Sequence, residues 1–277
     1  MALGTVQFGL DYGISNTSGQ VRSNEVKNIL EIAKNNNIDM LDTASSYGNS
    51  EKILGDLGIQ KFKVVTKTMH LKSGVDKVLK TFKQSLENLR IESVEGLLIH
   101  NIEDVKDKEF DILYKELNNL KKDKIISKIG FSAYTPKQVD FLLDNFDFDL
   151  IQVPFNVFDI RLIEGGQLWA LKNKGVEVHA RSVFLQGILL GFNNLPNYFL
   201  TWQKEFERYQ SIVDCSGLTL LEYALNFALN TNELDKVLVG VNNADQLIDI
   251  INSSKARVNL KAFSIDDVKL LNPNLWN

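Results

Sequence analysis

Short apolar runs alternate along this chain with longer stretches in which apolar residues recur every three or four positions. The short runs are typical of buried strands, and the longer stretches are typical of helices with one apolar face. Eight strands are predicted in this way, at residues 3–8, 38–43, 62–66, 94–99, 126–131, 150–153, 176–180 and 237–241. Helices are predicted between and after them, at residues 25–35, 49–57, 75–89, 110–120, 136–146, 162–174, 218–229 and 245–251. An extended connection is predicted over residues 184–217.

The regular alternation of strand and helix predicts an α/β fold with parallel strands and right-handed crossovers. By length alone, 277 residues allow either one large barrel or two ordinary domains. Eight strand–helix units without a linker favour a single (β/α)8 TIM barrel that spans residues 1–277 as one domain. A Rossmann-type sheet has no support, because no G-x-G-x-x-G motif follows the first strand.

Composition narrows the class of protein and of partner. A net charge of −4 and a pI near 5.5 give no general attraction to nucleic acid or to anionic membranes. The single cysteine, Cys215, cannot form an internal disulfide, and no Cys/His cluster has the spacing of a metal site. The sequence shows neither a signal-peptide pattern nor an apolar run long enough to span a bilayer. We therefore expect a cytoplasmic protein that acts on a small molecule; the sequence does not indicate an oligomeric state.

Polar residues follow five consecutive predicted strands at their carboxyl ends: Asp42, Lys67, His100, Ser132 and Gln152. In a (β/α)8 barrel these ends converge on one face, where the active site lies. Taken singly, each has an ordinary structural interpretation, such as a helix cap for Asp42 or a satisfied structural histidine for His100. Their joint placement on neighbouring strands predicts a site.

Tyr47 lies on the loop that follows Asp42, and it needs help to act as an acid because its reference pKa is near 10. Asp42 can hold Lys67 by a charge-assisted hydrogen bond, and the charged Lys67 is then expected to lower the pKa of Tyr47. His100 can hydrogen-bond a substrate oxygen. Together these groups suit protonation of an oxygen while a hydride reaches the adjoining carbon. The hydride must come from a cofactor, because no side chain supplies one.

Motifs from residue 4 to about residue 250 resemble those of the aldo-keto reductase superfamily, in the order of that family. They are Gly4-Thr5, the segment 42–48 with Ser50-Glu51 and Leu54-Gly55, Thr66-Lys67, Leu98-Ile99-His100, Gly130-Phe131-Ser132, Gln152 with Asn156, the segment 185–189, and Val239-Gly240 with Gln246-Leu247. The resemblance covers nearly the whole chain. It implies a barrel fold and a nicotinamide-dependent reaction that interconverts a carbonyl and an alcohol.

Carried over by position, the resemblance implies a catalytic tetrad of Asp42, Tyr47, Lys67 and His100, with Tyr47 as the general acid or base. It implies cofactor contacts at Gly4, Thr5, Asp42, Ser132, Gln152, Arg181, Ser182, Phe184, Gln186, Gly187, Gly240, Asn242, Asn243 and Gln246. Ser132 and Gln152 would bind the nicotinamide carboxamide. Substrate contacts are predicted at Tyr47, His100, Asn101, Phe8 and Asn156. The pocket is predicted to be built by the loops at residues 9–22, 101–108, 154–161 and 184–217, together with the end of the first strand.

Three features depart from the family pattern. Ala133 replaces the usual asparagine after the fifth strand, and Arg181 stands where an aromatic residue often stacks on the nicotinamide. The segment 240–246 carries no lysine or arginine for a 2′-phosphate, and Asp245 would repel one. The cofactor prediction therefore favours NAD and leaves NADP open, since Lys255 and Arg257 follow further along.

The leading functional prediction is an NAD(P)-dependent aldo-keto reductase or alcohol dehydrogenase. The alternative is a catalytically weak nicotinamide-binding regulatory protein of the same fold, for which Ala133 and Arg181 leave room. A third interpretation, a metal-dependent barrel hydrolase, lacks a ligand set, since only Asp42 and His100 qualify. The mixed polar and aromatic residues of the pocket loops suit a sugar or sugar derivative, and hence a role in carbohydrate metabolism.

Overall fold

Eight parallel strands form a closed barrel in a computed structural model that describes residues 1–193, 195–256 and 262–276. The strands are β1 (Ala2–Gly4), β2 (Met40–Asp42), β3 (Lys63–Lys67), β4 (Val94–Ile99), β5 (Ile126–Ser132), β6 (Leu150–Pro154), β7 (Glu177–Arg181) and β8 (Lys236–Gly240). Each strand pairs with the next in the sequence, and β1 closes the barrel by pairing with β8. The predicted (β/α)8 barrel is confirmed.

The helices pack around the outside of this barrel. The α-helices are α1 (Val6–Gly9), α2 (Ser23–Asn35), α3 (Ser50–Leu57), α4 (Val75–Leu89), α5 (Phe110–Lys122), α6 (Pro136–Asn145), α7 (Arg161–Glu164), α8 (Gln167–Asn173), α9 (Gln203–Ser216), α10 (Leu220–Leu229), α11 (Ala244–Ser253) and α12 (Val268–Leu271). Short 3₁₀ helices span Leu71–Ser73, Ile102–Lys106, Leu185–Leu190, Asn197–Trp202 and Pro273–Leu275.

The prediction of a first strand over residues 3–8 is wrong in its second half. β1 ends at Gly4, and residues Val6–Gly9 form the short helix α1. The change of direction occurs at Thr5, whose backbone N–H and side-chain Oγ1 both donate to the carbonyl oxygen of Asp42, at 3.0 and 2.9 Å. Phe8 is thereby placed in the core between barrel and helices instead of on a continued strand.

Two other predicted elements differ from the structure. The helix predicted over residues 162–174 is divided into α7 and α8, because Gly166 takes a left-handed backbone conformation with φ of +79°. The extended connection predicted over residues 184–217 contains helix α9. The side chains of Trp202, Phe206 and Tyr209, which recur at helical spacing in this segment, are all buried.

The interior of the barrel consists of an apolar layer below a polar one. The apolar layer is formed by Ala2, Met40, Val65, Leu98, Leu150 and Leu238. Two positions later in the sequence, at the carboxyl ends of the middle strands, come Asp42, Lys67, His100 and Gln152. Residues two apart on a strand share a face, so the strand period directs these polar side chains toward the mouth of the barrel.

Among the described residues, no single helix combines the length and apolar character needed to cross a bilayer. One bent pair, Asn197–Ser216 with Leu220–Leu229, meets those two criteria jointly, and its halves lie at 85° to each other.

Candidate active site

A buried ion pair between Lys67 and Asp42 forms the base of the site. Lys67 Nζ donates to Asp42 Oδ1 at 2.5 Å and to the carbonyl oxygen of Thr43 at 3.0 Å. The second carboxylate oxygen, Oδ2, accepts from Gln152 Nε2 at 2.7 Å. The Lys67 and Asp42 side chains are only 1% and 5% exposed, so each charge depends on the other for compensation.

Tyr47 lines the pocket next to this pair, and Lys67 Nζ lies 5.1 Å from the centre of its ring. Burial raises the pKa of Tyr47 above its ordinary value and outweighs Lys67, whose charge and hydrogen bond lower it. The net lowering of the Tyr47 pKa predicted from the sequence is therefore wrong in direction. Burial acts to lower the pKa of Lys67, but the charge of Asp42 and the hydrogen bonds of Lys67 overcome burial, so that this pKa is raised. Both groups thus hold their protons at neutral pH.

His100 lies on the other side of Tyr47, with 6.1 Å between the ring centres and the rings nearly perpendicular at 84°. Burial lowers the pKa of His100 to about 4, and the positive charge of Lys67 acts in the same direction. The imidazole is therefore neutral at physiological pH. A neutral imidazole can hydrogen-bond a substrate oxygen without adding a second full charge to the site.

The loop that carries Tyr47 packs closely against the end of helix α1. Gly9, on the helix, and Gly48, on the loop, make this approach possible. A Cβ on Gly9 would lie 1.7 Å from the carbonyl oxygen of Tyr47. A Cβ on Gly48, where φ is +56°, would lie 2.3 Å from the carbonyl oxygen of Gly9. Only residues without a Cβ allow the two segments to approach this closely, and the approach fixes the position of Tyr47.

One cavity of about 450 Å³ extends from this cluster across the carboxyl ends of the strands. All the predicted tetrad residues line it, and so do all the predicted cofactor contacts except Asn243: Gly4, Thr5, Asp42, Ser132, Gln152, Arg181, Ser182, Phe184, Gln186, Gly187, Gly240, Asn242 and Gln246. Asn243 instead caps helix α11, where its Oδ1 accepts from the backbone N–H of Gln246 at 2.8 Å.

Two polar atoms in this cavity have no partner among the described residues, as expected where a nicotinamide cofactor would be held. Gln7 Oε1 and Asn242 Oδ1 are buried and have no protein partner, so both can accept hydrogen bonds from a ligand. Gly240 lies beside them, where a Cβ would come within 2.6 Å of Gln7 Nε2.

Three of the predicted substrate contacts do not line the cavity. Phe8 is completely buried in the core, because α1 replaces the end of the predicted strand. Asn101 caps the 3₁₀ helix Ile102–Lys106 and does not line the cavity. Asn156 is 1% exposed, and its Oδ1 accepts from the backbone N–H groups of Phe158 and Asp159. The predicted loops 101–108 and 154–161 therefore contribute nothing to the cavity wall.

Comparison with known proteins agrees with this geometry. The family model described as "Aldo/keto reductase family" matches residues 1–272. The chain belongs to the aldo-keto reductase family. Members of this family act on carbonyl or alcohol groups of small molecules and use nicotinamide cofactors.

Individual relatives are distant. The L-galactose dehydrogenase of Arabidopsis thaliana is 27% identical over 231 residues, which cover 76% of this chain and 72% of that protein. The glyoxal reductase of Bacillus subtilis (strain 168) is 29% identical over 176 residues, which cover 60% of this chain and 61% of that protein. The holo form of the aldo-keto reductase AKR11C1 from Bacillus halodurans superposes with a TM-score of 0.77 at 19% identity, over 93% of this chain and 87% of that one. At this identity the superposition supports the fold alone.

Several residues that line the cavity of this aldo-keto reductase were missed by the sequence analysis. Gln7 was assigned to a strand, and Tyr134 was overlooked although it comes only two residues after Ser132. Asp249 lies three residues after Gln246 on α11, so helical periodicity could have placed it on the same face. Arg257, which was considered for the 2′-phosphate, lies outside the described residues, and Lys255 does not line the cavity. Among the described residues, no group of three or more His, Cys, Asp or Glu is placed to hold a metal ion.

Proposed function

We propose that this aldo-keto reductase is an NAD(P)-dependent oxidoreductase in which the Tyr47 hydroxyl donates its proton to the substrate oxygen during reduction and the Tyr47 phenolate takes it back during oxidation. The observation that carries the proposal is the convergence of Tyr47, the Lys67–Asp42 ion pair and neutral His100 at one cavity. Each of these groups comes from a different strand end or loop, and each is held by named contacts.

In the reducing direction, the Tyr47 hydroxyl protonates the carbonyl oxygen of the substrate. Its raised pKa keeps the proton on the phenol until the substrate oxygen becomes basic. Lys67 then stabilises the phenolate that remains, since its ammonium group lies next to the ring. His100 donates a hydrogen bond to the same substrate oxygen and thereby orients the carbonyl. A bound nicotinamide supplies the hydride.

The residues that would hold the cofactor line the rest of the cavity. Ser132 and Gln152 would contact the carboxamide, and the orphaned acceptors of Gln7 and Asn242 can bind donors of the ligand. The titratable side chains that line the cavity include Asp249 on α11 but no lysine or arginine from that helix. A ribose hydroxyl can donate to such acceptors, whereas a 2′-phosphate would be repelled by Asp249, so we favour NAD over NADP.

We further propose a sugar or sugar derivative as substrate. Tyr12, Asn16 and Gln186 give the cavity a polar wall. Hydrogen bonds within the loops hold the two amides, and the Tyr12 hydroxyl, which accepts from Gln186, keeps its proton to donate to a polyhydroxylated molecule. The relative from Arabidopsis thaliana named L-galactose dehydrogenase agrees with this class.

The proposal is tested by titrating the purified protein with NADH and NADPH while following nicotinamide fluorescence. Turnover is then measured with aldoses, deoxysugars and glyceraldehyde. Replacing Tyr47 with Phe should leave cofactor affinity within about twofold and should reduce turnover at least about 100-fold, because proton transfer is lost. No response to either cofactor would refute the proposal. Binding without turnover in the unmodified protein would instead support the regulatory alternative.

A further inference from the structure

Arg181 is a cation in the cavity that the proposed mechanism does not use. It lies at the end of β7, and its guanidinium is stacked over the ring of Tyr134 at 4.1 Å from the ring centre. It donates to the carbonyl oxygen of Ala133 at 3.3 Å and to Ser182 Oγ at 3.4 Å. Both bonds are long, and they leave most of the N–H donors of the guanidinium without a partner.

No carboxylate compensates this charge within residues 1–193, 195–256 and 262–276, where no ion pair involves Arg181. The contrast with Arg161 is direct. Arg161 forms a two-pronged pair with Asp159, in which Nε and one terminal nitrogen each lie 2.7 Å from a carboxylate oxygen. Arginine in a partly buried position normally finds such a partner. The unpaired N–H groups of the Arg181 guanidinium are therefore available to an anion that is not part of the chain.

The charges near Arg181 leave the reaction end of the cavity positive. Asp42 is already paired with Lys67, and neutral His100 adds no charge. Asp249 lines the cavity from helix α11, which follows the segment 240–246 considered for the 2′-phosphate. Among the described residues that line the cavity, Arg181 is therefore the full charge that has no counter-charge near the proposed catalytic residues.

Arg181 is also close enough to these residues to influence them. Burial is the largest influence on the pKa of both Tyr47 and His100, and the charge of Arg181 contributes to lowering each. It acts in the same direction on the pKa of Tyr12, which is likewise governed first by burial. The guanidinium therefore lies in the same cavity as Tyr47 and His100 and within electrostatic reach of both.

We propose that Arg181 binds a carboxylate or phosphate group of the substrate, so that this protein selects anionic sugar-type carbonyl compounds over neutral ones. The inference rests on the proposed function, in which the carbonyl is placed by Tyr47 and His100. Stacking on Tyr134 holds the guanidinium plane, and its fork presents two parallel N–H groups to two oxygens of the anion. The anionic group anchors one end of the substrate while its carbonyl is held at the other.

The kinetic test compares matched neutral and anionic substrates. D-glucose is paired with D-glucuronate to examine a carboxylate, and D-glyceraldehyde is paired with D-glyceraldehyde 3-phosphate to examine a phosphate. In the unmodified protein kcat/KM should favour the anionic member of at least one pair. In Arg181→Gln this preference, measured as the ratio of the two kcat/KM values, should fall about 10- to 100-fold, as expected for a lost hydrogen-bonded charge. Arg22→Gln, which removes an exposed arginine at the start of α2, should leave the preference unchanged.

A binding measurement separates this inference from the proposed function. Isothermal titration with D-gluconate and with sn-glycerol 3-phosphate, neither of which has a carbonyl to reduce, reports the anion site even without turnover. Binding should weaken at least about tenfold in Arg181→Gln and should weaken with rising salt in the unmodified protein. If Arg181→Gln does not fold, as judged by circular dichroism, Arg181→Lys replaces it and should weaken binding to a smaller extent, because the charge remains and the fork is lost.

The outcomes are distinct. Loss of anion preference or anion binding in the variant supports the inference, including the case in which no carbonyl compound is turned over and only the proposed function fails. An unchanged preference and unchanged anion binding overturn it. A fall in NADH affinity with no change in either anion measurement also overturns it, because Arg181 would then be a cofactor contact.

Discussion

The Lys67–Asp42 pair offers the sharpest test of the site, because its two charges are buried and compensate each other. Replacing Lys67 with Met removes Nζ and with it the bonds of 2.5 Å to Asp42 and 3.0 Å to Thr43. Asp42 then keeps only Gln152 as a side-chain donor, at 2.7 Å. Removing one partner of a buried pair leaves the other charge uncompensated and costs about 3–5 kcal/mol of unfolding free energy.

Asp42→Asn should cost a similar amount, because it leaves the Lys67 ammonium buried without a counter-charge. The double variant Asp42→Asn/Lys67→Met contains neither charge, and the asparagine can still accept from Gln152. The free energy of unfolding of the double variant should fall by only about 1–2 kcal/mol, chiefly because the hydrogen bond to Thr43 is lost. The two substitutions should therefore be strongly non-additive, with the double variant more stable than either single one.

The assay is urea unfolding followed by circular dichroism, with linear extrapolation to water. Lys106→Met, which removes one side of an exposed pair with Glu103, should leave the free energy of unfolding unchanged within error. The interpretation is refuted if each single substitution at the buried pair costs less than about 1 kcal/mol, or if the double variant loses the sum of the two. All three variants at the pair should lose turnover, so stability and activity separate only in the double variant.

Three further substitutions test other parts of the site. Gly9→Ala should reduce turnover at least about tenfold with modest loss of stability, because its Cβ would lie 1.7 Å from the Tyr47 carbonyl oxygen and displace the loop. The control is Gly191→Ala, because a Cβ at that position meets nothing within 4 Å. Because the folded-state pKa of His100 is about 4 and its ordinary value is 6.5, the contribution of His100 makes the protein less stable as pH falls through that window. Urea unfolding of His100→Asn should show a weaker loss between those two pH values, and an identical pH dependence would contradict the assigned pKa. Asp249→Arg should increase the affinity for NADPH relative to NADH about five- to tenfold in fluorescence titrations, and an unchanged ratio would place Asp249 away from the 2′ position.

The strand pattern was enough to predict the fold and the members of the cluster. Two positions before each of Asp42, Lys67 and Gln152 stands an apolar residue that fills the barrel interior. Because side chains two apart on a strand point to the same face, the polar side chain also points into the barrel. Residues at strand ends are therefore predictable from local sequence. The closed barrel then brings them together without further information from the loops.

The predictions for loop residues differ from the structure because some loop side chains are directed by contacts distant in sequence, and others already bond to the backbone of their own loop. Phe8 turns into the core because Thr5 bonds to the carbonyl oxygen of Asp42, 37 residues away. Asn101 and Asn156 are consumed by local backbone N–H groups, which is a common use of asparagine in turns. The number of residues between a loop position and the end of its strand does not show whether its side chain points into the core, bonds to its own loop or faces the cavity.

The pKa of Tyr47 was misjudged for a related reason. The sequence shows which charges lie near the phenol, but it does not show how much water the folded chain removes from around it. Burial proved larger than the effect of Lys67, and the pKa rises. Desolvation depends on the whole pocket wall, so it cannot be derived from motif spacing.

The raised pKa of Tyr47 has a consequence for the preferred direction of the proposed reaction. A phenol that retains its proton at neutral pH is ready to donate to a carbonyl, whereas oxidation of an alcohol first requires the phenolate. Once the proton has left, Lys67 stabilises the phenolate, since its charge lowers the pKa of Tyr47 against the effect of burial. The site therefore favours reduction near neutral pH, and oxidation should accelerate as pH rises toward the pKa of Tyr47. If the oxidation rate is independent of pH in the alkaline range while the reduction rate is not, Tyr47 is not the group that carries the proton.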